Sequence, residues 1–268
     1  MAHLTTTDHV NLNLKDWGTG RPVILMHGWP LSADTFDDMA IAIADAGMRA
    51  IAYDRRGFGR SAQPWDGYTY DRLADDLAEV IEYAASDDIA IVGFSMGGGE
   101  VARYMSRHRG RGVSQAVLIA SVVPYMLKTP DHPNGVDQSV FDQMAKAMKA
   151  DRAKFWTGFF KDFYGGAVSD EVIEWSRALS MHASTKATFD CATAFATTDF
   201  RPDLPAFKVP TLIIHGTADK TVPIDATARL AAKGIANSKL IEYEGGPHGL
   251  LASHKQRVID DVLAFLRR

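Results

Sequence analysis

Short apolar runs alternate along this chain with segments of helical periodicity. Val23-Ile24-Leu25-Met26, Ala50-Ile51-Ala52-Tyr53, Ile89-Ala90-Ile91-Val92 and Ala116-Val117-Leu118-Ile119-Ala120 are continuous and of strand length. That is the pattern of strands buried on both faces. Residues 10–16 instead alternate apolar with polar, which predicts an edge-like strand with one buried face. Between the runs, Ser32 is placed to cap a helix reaching to about Ala46. Leu73, Leu77, Val80, Ile81 and Ala84 recur at helical spacing. Strands alternating with helices predict an α/β fold, with a mostly parallel central sheet and helices on both faces.

The rhythm breaks between residues 124 and 205, where no strand pattern appears. Prolines at 124, 130 and 133 lead into four helical stretches, 141–149, 152–163, 170–179 and 185–196. These are rich in aromatics, among them Phe155, Trp156, Phe160, Phe163 and Trp175. The α/β pattern then returns, with strands over 210–216 and 240–243, a helix over 227–233 and a terminal amphipathic helix marked by Val258, Val262, Phe265 and Leu266. The expected division is therefore a core of residues 1–123 and 206–268 and an inserted helical cap over 124–205. Such a cap has more rings than its own core needs, so some are expected to wall a pocket. The pocket is expected to include Phe94, Val122, Tyr125, Phe141, Phe159, Val222 and Leu250.

Composition narrows the function classes. A chain of 268 residues with a net charge of −4 suits one domain with an insertion, and gives no electrostatic case for nucleic acid or an anionic membrane. The basic cluster Arg103, Arg107, His108, Arg109 and Arg111 sits where a helix should end, and complements its dipole. A single cysteine, Cys191, excludes an intramolecular disulfide and is expected to be a small buried side chain. No apolar run has transmembrane length, and the N-terminal stretch lacks the basic start and apolar core of a signal peptide. A soluble cytoplasmic protein is expected. A homo-oligomer is compatible with the sequence, which displays no interface.

The chemistry centres on Gly93-Phe94-Ser95-Met96-Gly97, where a strand pattern meets a helix pattern. That context predicts a nucleophile elbow, a tight turn that lifts the serine Oγ above the sheet. Serine needs an adjacent base. Of nine histidines, His248 is best placed, because it leaves the last strand through Gly245-Gly246-Pro247. His27 is expected to be a structural hydrogen-bonding group, and His215 to pack at the end of its strand. The base needs a carboxylate to set its tautomer. Asp219 is the candidate, with Asp225 second. The order Ser95, Asp219, His248 is that of nucleophile-elbow enzymes. The oxyanion donors are expected to be the backbone N–H groups of Met96, next after the serine, and Trp29, in the loop after the first buried strand. Gly57-Phe58-Gly59 lacks the third glycine and the lysine of a phosphate loop, and reads as a structural turn. No His, Cys and carboxylate cluster has metal spacing, and no cofactor is implied.

The runs His27-Gly28-Trp29-Pro30-Leu31-Ser32-Ala33-Asp34, Tyr53-Asp54-Arg55-Arg56-Gly57-Phe58-Gly59-Arg60-Ser61, Pro64-Trp65-Asp66-Gly67 and Gly93-Phe94-Ser95-Met96-Gly97-Gly98-Gly99-Glu100-Val101 resemble the α/β-hydrolase family. Within it they are similar to the cofactor-free haloperoxidases, also called perhydrolases or aryl esterases. Phe163-Tyr164-Gly165, Thr198-Asp199-Phe200 and Val209-Pro210-Thr211-Leu212 extend the likeness over nearly the whole chain. The resemblance implies the same triad and hole, hydrolysis of small esters, and perhydrolysis of short carboxylic acids by hydrogen peroxide. It also admits lactones and lactams as alternative substrates. The cap, at Val122-Val123-Pro124-Tyr125-Met126 and around Phe155-Trp156, departs most from the family pattern. A dehalogenase or epoxide hydrolase would need a carboxylate where Ser95 stands. A ligand-sensing receptor on the same fold has no sequence feature in its favour.

Overall fold

The continuous apolar runs become the middle of one sheet. The structure, a computed structural model, describes residues 2–267; Met1 and Arg268, the outermost positions of the expected core, lie outside them. The strands are β1 (Ala2–Thr5), β2 (Asn11–Gly18), β3 (Pro22–Met26), β4 (Arg49–Tyr53), β5 (Ile89–Phe94), β6 (Val113–Ile119), β7 (Thr211–Gly216) and β8 (Ser238–Tyr243). Their order in the sheet is β1-β2-β4-β3-β5-β6-β7-β8. β1, β2 and β4 pair antiparallel, and every neighbouring pair from β4 through β8 is parallel. All residues of β3 and β5 are buried, as their uniform apolarity requires.

The helices are α1 (Asp37–Asp45), α2 (Tyr70–Ala84), α3 (Met96–Arg107), α4 (Gln138–Ala150), α5 (Arg152–Tyr164), α6 (Asp170–His182), α7 (Thr185–Thr197), α8 (Ala228–Gly234), α9 (Leu250–Ser253) and α10 (Lys255–Leu266). Helices α4 to α7 all fall between β6 and β7. Asp151 accepts from the Lys154 N–H and starts α5 immediately after α4 ends. Gly165, in the left-handed region, terminates α5. The Ser32 cap begins a 3₁₀ turn over Ala33–Phe36 that leads into α1. The basic end of α3 is tied to α2, with Arg103 on Asp71 and Arg107 and His108 on Asp75.

Two elements differ from the sequence pattern. Residues 11–18 are not an edge strand, because β1 pairs with them on the outer side. β1 is only four residues long and half of it is exposed, too short for periodicity to reveal. β6 begins at Val113, ahead of its apolar run, and takes in Ser114 and Gln115. The Gln115 amide donates to the Phe265 carbonyl, so a polar residue sits inside a buried strand with its own partner.

The parallel register aligns the carboxyl ends of the central strands. Met26 lies beside both Tyr53 and Gly93, and Gly93 beside Leu118. The Ser95 N–H reaches the Ile119 carbonyl at 2.8 Å, and the Ala120 N–H reaches that of Ile214 at 2.8 Å. The loops leaving β3, β5, β6, β7 and β8 therefore converge on one rim, where open α/β sheets place their ligands.

Candidate active site

β5 ends at Phe94 and α3 starts at Met96, so Ser95 alone makes the turn. Its backbone sits at φ 54° and ψ −117°. For a residue with a side chain this costs on the order of 1–3 kcal/mol and persists only where the surroundings impose it. Here they do. A side chain at Gly93 would strike the Gly97 carbonyl, and one at Gly97 would strike that of Met26. Strand and helix therefore close to a distance only glycine permits. The Ser95 carbonyl is also held, by the N–H of Gly98 at 3.0 Å and of Val122 at 3.3 Å.

His248 comes to this serine from the loop after β8. The Gly246 N–H closes that turn on Tyr243 at 2.9 Å, while the Gly246 carbonyl accepts from Ala218 at 3.0 Å. The imidazole Nε2 stands 2.9 Å from Ser95 Oγ, and Nδ1 stands 2.6 Å from Asp219 Oδ2. The rings of Phe163 and Phe94 flank it, with centroids at 4.8 and 5.3 Å. Asp219 and His248 are both buried.

Asp219 lies in the loop after β7. Its Oδ1 accepts from the N–H groups of Thr221 at 2.9 Å and Val222 at 2.7 Å, which leaves Oδ2 for histidine. Burial opposes its ionisation, yet His248 and His215 together hold the carboxyl well below the usual carboxylate range. Asp225, the second candidate, is exposed and paired with Arg229 at 2.7 Å, away from the histidine.

His215 is the member that sequence reasoning missed. It does more than pack, since its Nε2 lies 2.8 Å from the Val222 carbonyl and 3.2 Å from Asp219 Oδ2. Facing two acceptors, Nε2 carries the proton, and Nδ1 is left buried without a partner among the described residues. The spacing of four residues to Asp219 was the only available signal.

The loop after β3 completes the rim. Gly28 lets it approach, because a Cβ there would lie 2.8 Å from the Phe94 ring and 3.1 Å from Ser95 Cβ. Among the described residues, the N–H groups of Trp29 and Met96 have no acceptor in the protein. The Trp29 indole is locked between Trp156, Phe195 and Phe159, with centroids at 5.1, 5.3 and 5.7 Å, and its Nε1–H donates to the Thr188 carbonyl at 3.0 Å. The helices inserted between β6 and β7 thus hold the Trp29 side chain on four sides.

A cavity of about 970 Å³ opens over Ser95 and His248. Its walls include Val122, Phe141, Phe159 and Val222 of the expected pocket, with Met126, Phe155 and Phe195 in addition. Three expected residues lie elsewhere. Phe94 points behind His248 and lines a smaller cavity of about 170 Å³ with Phe163 and Trp175. Tyr125 turns to His132 and to the Arg201 guanidinium, 5.2 Å from its ring centre. Leu250, fully buried at the start of α9, packs beneath Gly246. Phe94 ends a strand, Leu250 starts a helix and Tyr125 lies in the connection after β6, and at such positions spacing does not encode which way a side chain points.

Cys191 is fully buried on α7, and burial pushes its thiol up to about 12. Among the described residues no three His, Cys, Asp or Glu side chains are grouped to hold a metal ion. No described helix is long and apolar enough to cross a membrane.

The family described as alpha/beta hydrolase fold matches residues 21–255. A putative non-heme chloroperoxidase of Synechocystis is 44% identical over 264 residues, covering 96% of this chain and 95% of its own. A bifunctional esterase/perhydrolase of Acinetobacter calcoaceticus is 41% identical, with both chains covered in full. The crystal structure of a bromoperoxidase from Bacillus anthracis superposes with a TM-score of 0.95 at 40% identity, again over the whole of both chains. The chain belongs to the α/β-hydrolase fold family, among the non-heme haloperoxidases and perhydrolases.

Proposed function

We propose that this protein is a serine hydrolase of small carboxylic esters that also transfers acyl groups to hydrogen peroxide. The observation that carries this is the line Ser95 Oγ, His248, Asp219 at 2.9 and 2.6 Å, opening onto an apolar cavity beside two free N–H groups. Ser95 attacks the ester carbonyl while His248 Nε2 takes its proton. The N–H groups of Trp29 and Met96 bind the oxyanion, and His248 returns the proton to the leaving alcohol. Water or hydrogen peroxide then attacks the acyl-enzyme, with His248 again as base, releasing acid or peracid. Residues 124–205 act as the cap that supplies the apolar wall, and residues 1–123 and 206–268 as the core that carries the catalytic groups. The single cysteine, a buried thiol with no disulfide partner, favours the cytoplasm.

The cavity is at the upper end of the range for drug-sized ligands, so the acyl group need not be as small as acetyl. Each further buried methylene contributes about 0.8 kcal/mol, roughly fourfold in kcat/KM. A p-nitrophenyl ester series is therefore expected to rise in kcat/KM from acetate to hexanoate, with all of it lost in Ser95→Ala. A series that falls from acetate onward would mean that the walls close around the acyl group. Small lactones, run in parallel, test the alternative substrate class.

Halogenation follows indirectly from this mechanism. A carboxylic acid acylates Ser95 with loss of water, and peroxide releases it as peracid. Peracid then oxidises bromide in solution to hypobromous acid, regenerating the carboxylate. Bromination of a dye by the purified protein should therefore require acetate or propionate in the buffer and should be unaffected by chelators. Full bromination in a carboxylate-free buffer would contradict the indirect route.

A further inference from the structure

The peptide that carries the Trp29 N–H is held from behind. Its carbonyl, that of Gly28, accepts from the Leu31 N–H at 3.0 Å and lies 2.9 Å from His27 Nδ1. The His27 ring is fully buried, and its Nε2 faces the Arg55 backbone N–H at 3.0 Å. A backbone N–H can only donate and a carbonyl can only accept. The ring must therefore be the neutral tautomer with its proton on Nδ1. Arg55 Nη1 lies 3.4 Å from the same Nδ1 and, being a donor itself, makes no bond there. Burial and the nearby Arg55 charge both push the His27 pKa down, in keeping with a ring that stays neutral.

The geometry points to His27 as a positioning residue for the oxyanion hole. The inference rests on the assignment of the Trp29 N–H as an oxyanion donor. In a planar trans peptide the C=O and N–H point in opposite directions, so fixing the Gly28 carbonyl fixes the aim of the Trp29 N–H. Two hydrogen bonds onto that carbonyl also polarise the peptide and strengthen its donor. The clamp is anchored to the elbow helix. Arg55 Nη2 donates to the His27 carbonyl at 2.6 Å, and the guanidinium is paired with Glu100 of α3, one turn beyond Met96. Tyr53 Oη donates to the same carboxylate at 2.8 Å. Both donors of the hole are thereby referred to a single buried network.

Two polar replacements separate the contacts of the ring. In His27→Asn the amide nitrogen stands near the place of Nδ1 and can still donate to Gly28, but the Arg55 N–H loses its acceptor. In His27→Gln the amide reaches the place of Nε2 and can still accept from Arg55, but the Gly28 carbonyl loses its side-chain donor. Removing an oxyanion donor outright costs about 10²–10³ in turnover. A donor that is present but poorly aimed should cost roughly 10- to 100-fold in kcat. His27→Gln is expected to show that loss with KM nearly unchanged, and an equal loss of affinity for phenylboronic acid, whose tetrahedral adduct fills the hole. His27→Asn is expected to retain the larger share of both. Equal losses in the two variants, or a full kcat in folded His27→Gln, would overturn the inference. Should either variant fail to fold, imidazole ¹⁵N shifts of the wild type decide. They should report a Nδ1–H ring that does not titrate between pH 5 and 9, and a Nε2–H or titrating ring would overturn the clamp. Ester hydrolysis that survives Ser95→Ala would take down the hydrolase reading itself. Hydrolysis lost in Ser95→Ala but alike in the Asn and Gln variants would take down the clamp alone.

Discussion

Ser95→Ala and His248→Ala are each expected to lower kcat for ester hydrolysis by about 10⁵–10⁶, and the double variant to lose little more. The reason is that nucleophile and base act as a unit, so either loss removes the same step. Asp219→Asn should cost about 10⁴, and the hydrogen bonds around it say why. Oδ1 takes two backbone donors, Thr221 and Val222. An asparagine must keep its oxygen there and turn its NH₂ to the Oδ2 position, against His248 Nδ1. The imidazole then accepts at Nδ1 and carries its proton on Nε2, where it cannot take the serine proton. The same NH₂ also meets the protonated Nε2 of His215, 3.2 Å from that position. Asp225→Asn, whose carboxylate holds only Arg229 at the surface, should leave kcat within about twofold. Steady-state kinetics with p-nitrophenyl butyrate, and circular dichroism to verify folding, check all five. A normal rate in Ser95→Ala would remove the mechanism. A normal rate in Asp219→Asn with loss in Asp225→Asn would reverse the assignment of the acid.

Much of this arrangement was legible because it is written in local chemistry. The uniform apolarity of residues 23–26 and 89–92 marked buried strands, and both lie in the middle of the sheet. The elbow was legible because strand, glycine, serine and helix are contiguous, and His248 because three residues without bulky polar groups precede it after a strand. Where a side chain points across a loop was not legible. Phe94 precedes the serine, yet its ring turns behind His248; Tyr125 lies in the connection after β6, yet turns to Arg201. The contacts of His215 are not legible because the turn that returns Val222 and the Asp219 carboxylate to it has no sequence period. β1 escaped because four residues are fewer than an alternating pattern needs.

Glu100→Ala is expected to destabilise the fold by about 3–5 kcal/mol, the usual cost of leaving one partner of a buried ion pair alone. That is a large share of the roughly 5–15 kcal/mol by which such domains are stable. Arg55 and Glu100 are both buried, at 1% and 0% exposure, so water cannot replace the missing carboxylate. Burial pushes the Glu100 carboxyl up, while the Arg55 charge and the Tyr53 hydroxyl work against this. A buried pair need not be stabilising relative to apolar groups of similar volume. The triple replacement Tyr53→Phe, Arg55→Met, Glu100→Leu removes the ion pair and its hydroxyl partner at nearly constant volume. It should recover the larger part of the lost stability in urea denaturation. It should not recover turnover, because the His27 carbonyl has lost the Arg55 guanidinium, 2.6 Å away in the wild type, and the loop that aims the Trp29 N–H is no longer tied to α3. Stability and kcat therefore part company in the triple variant if the ion pair serves the geometry of the hole. A triple variant as unstable as Glu100→Ala would assign the loss to packing, and one with full stability and full kcat would leave the pair no part in positioning the loop.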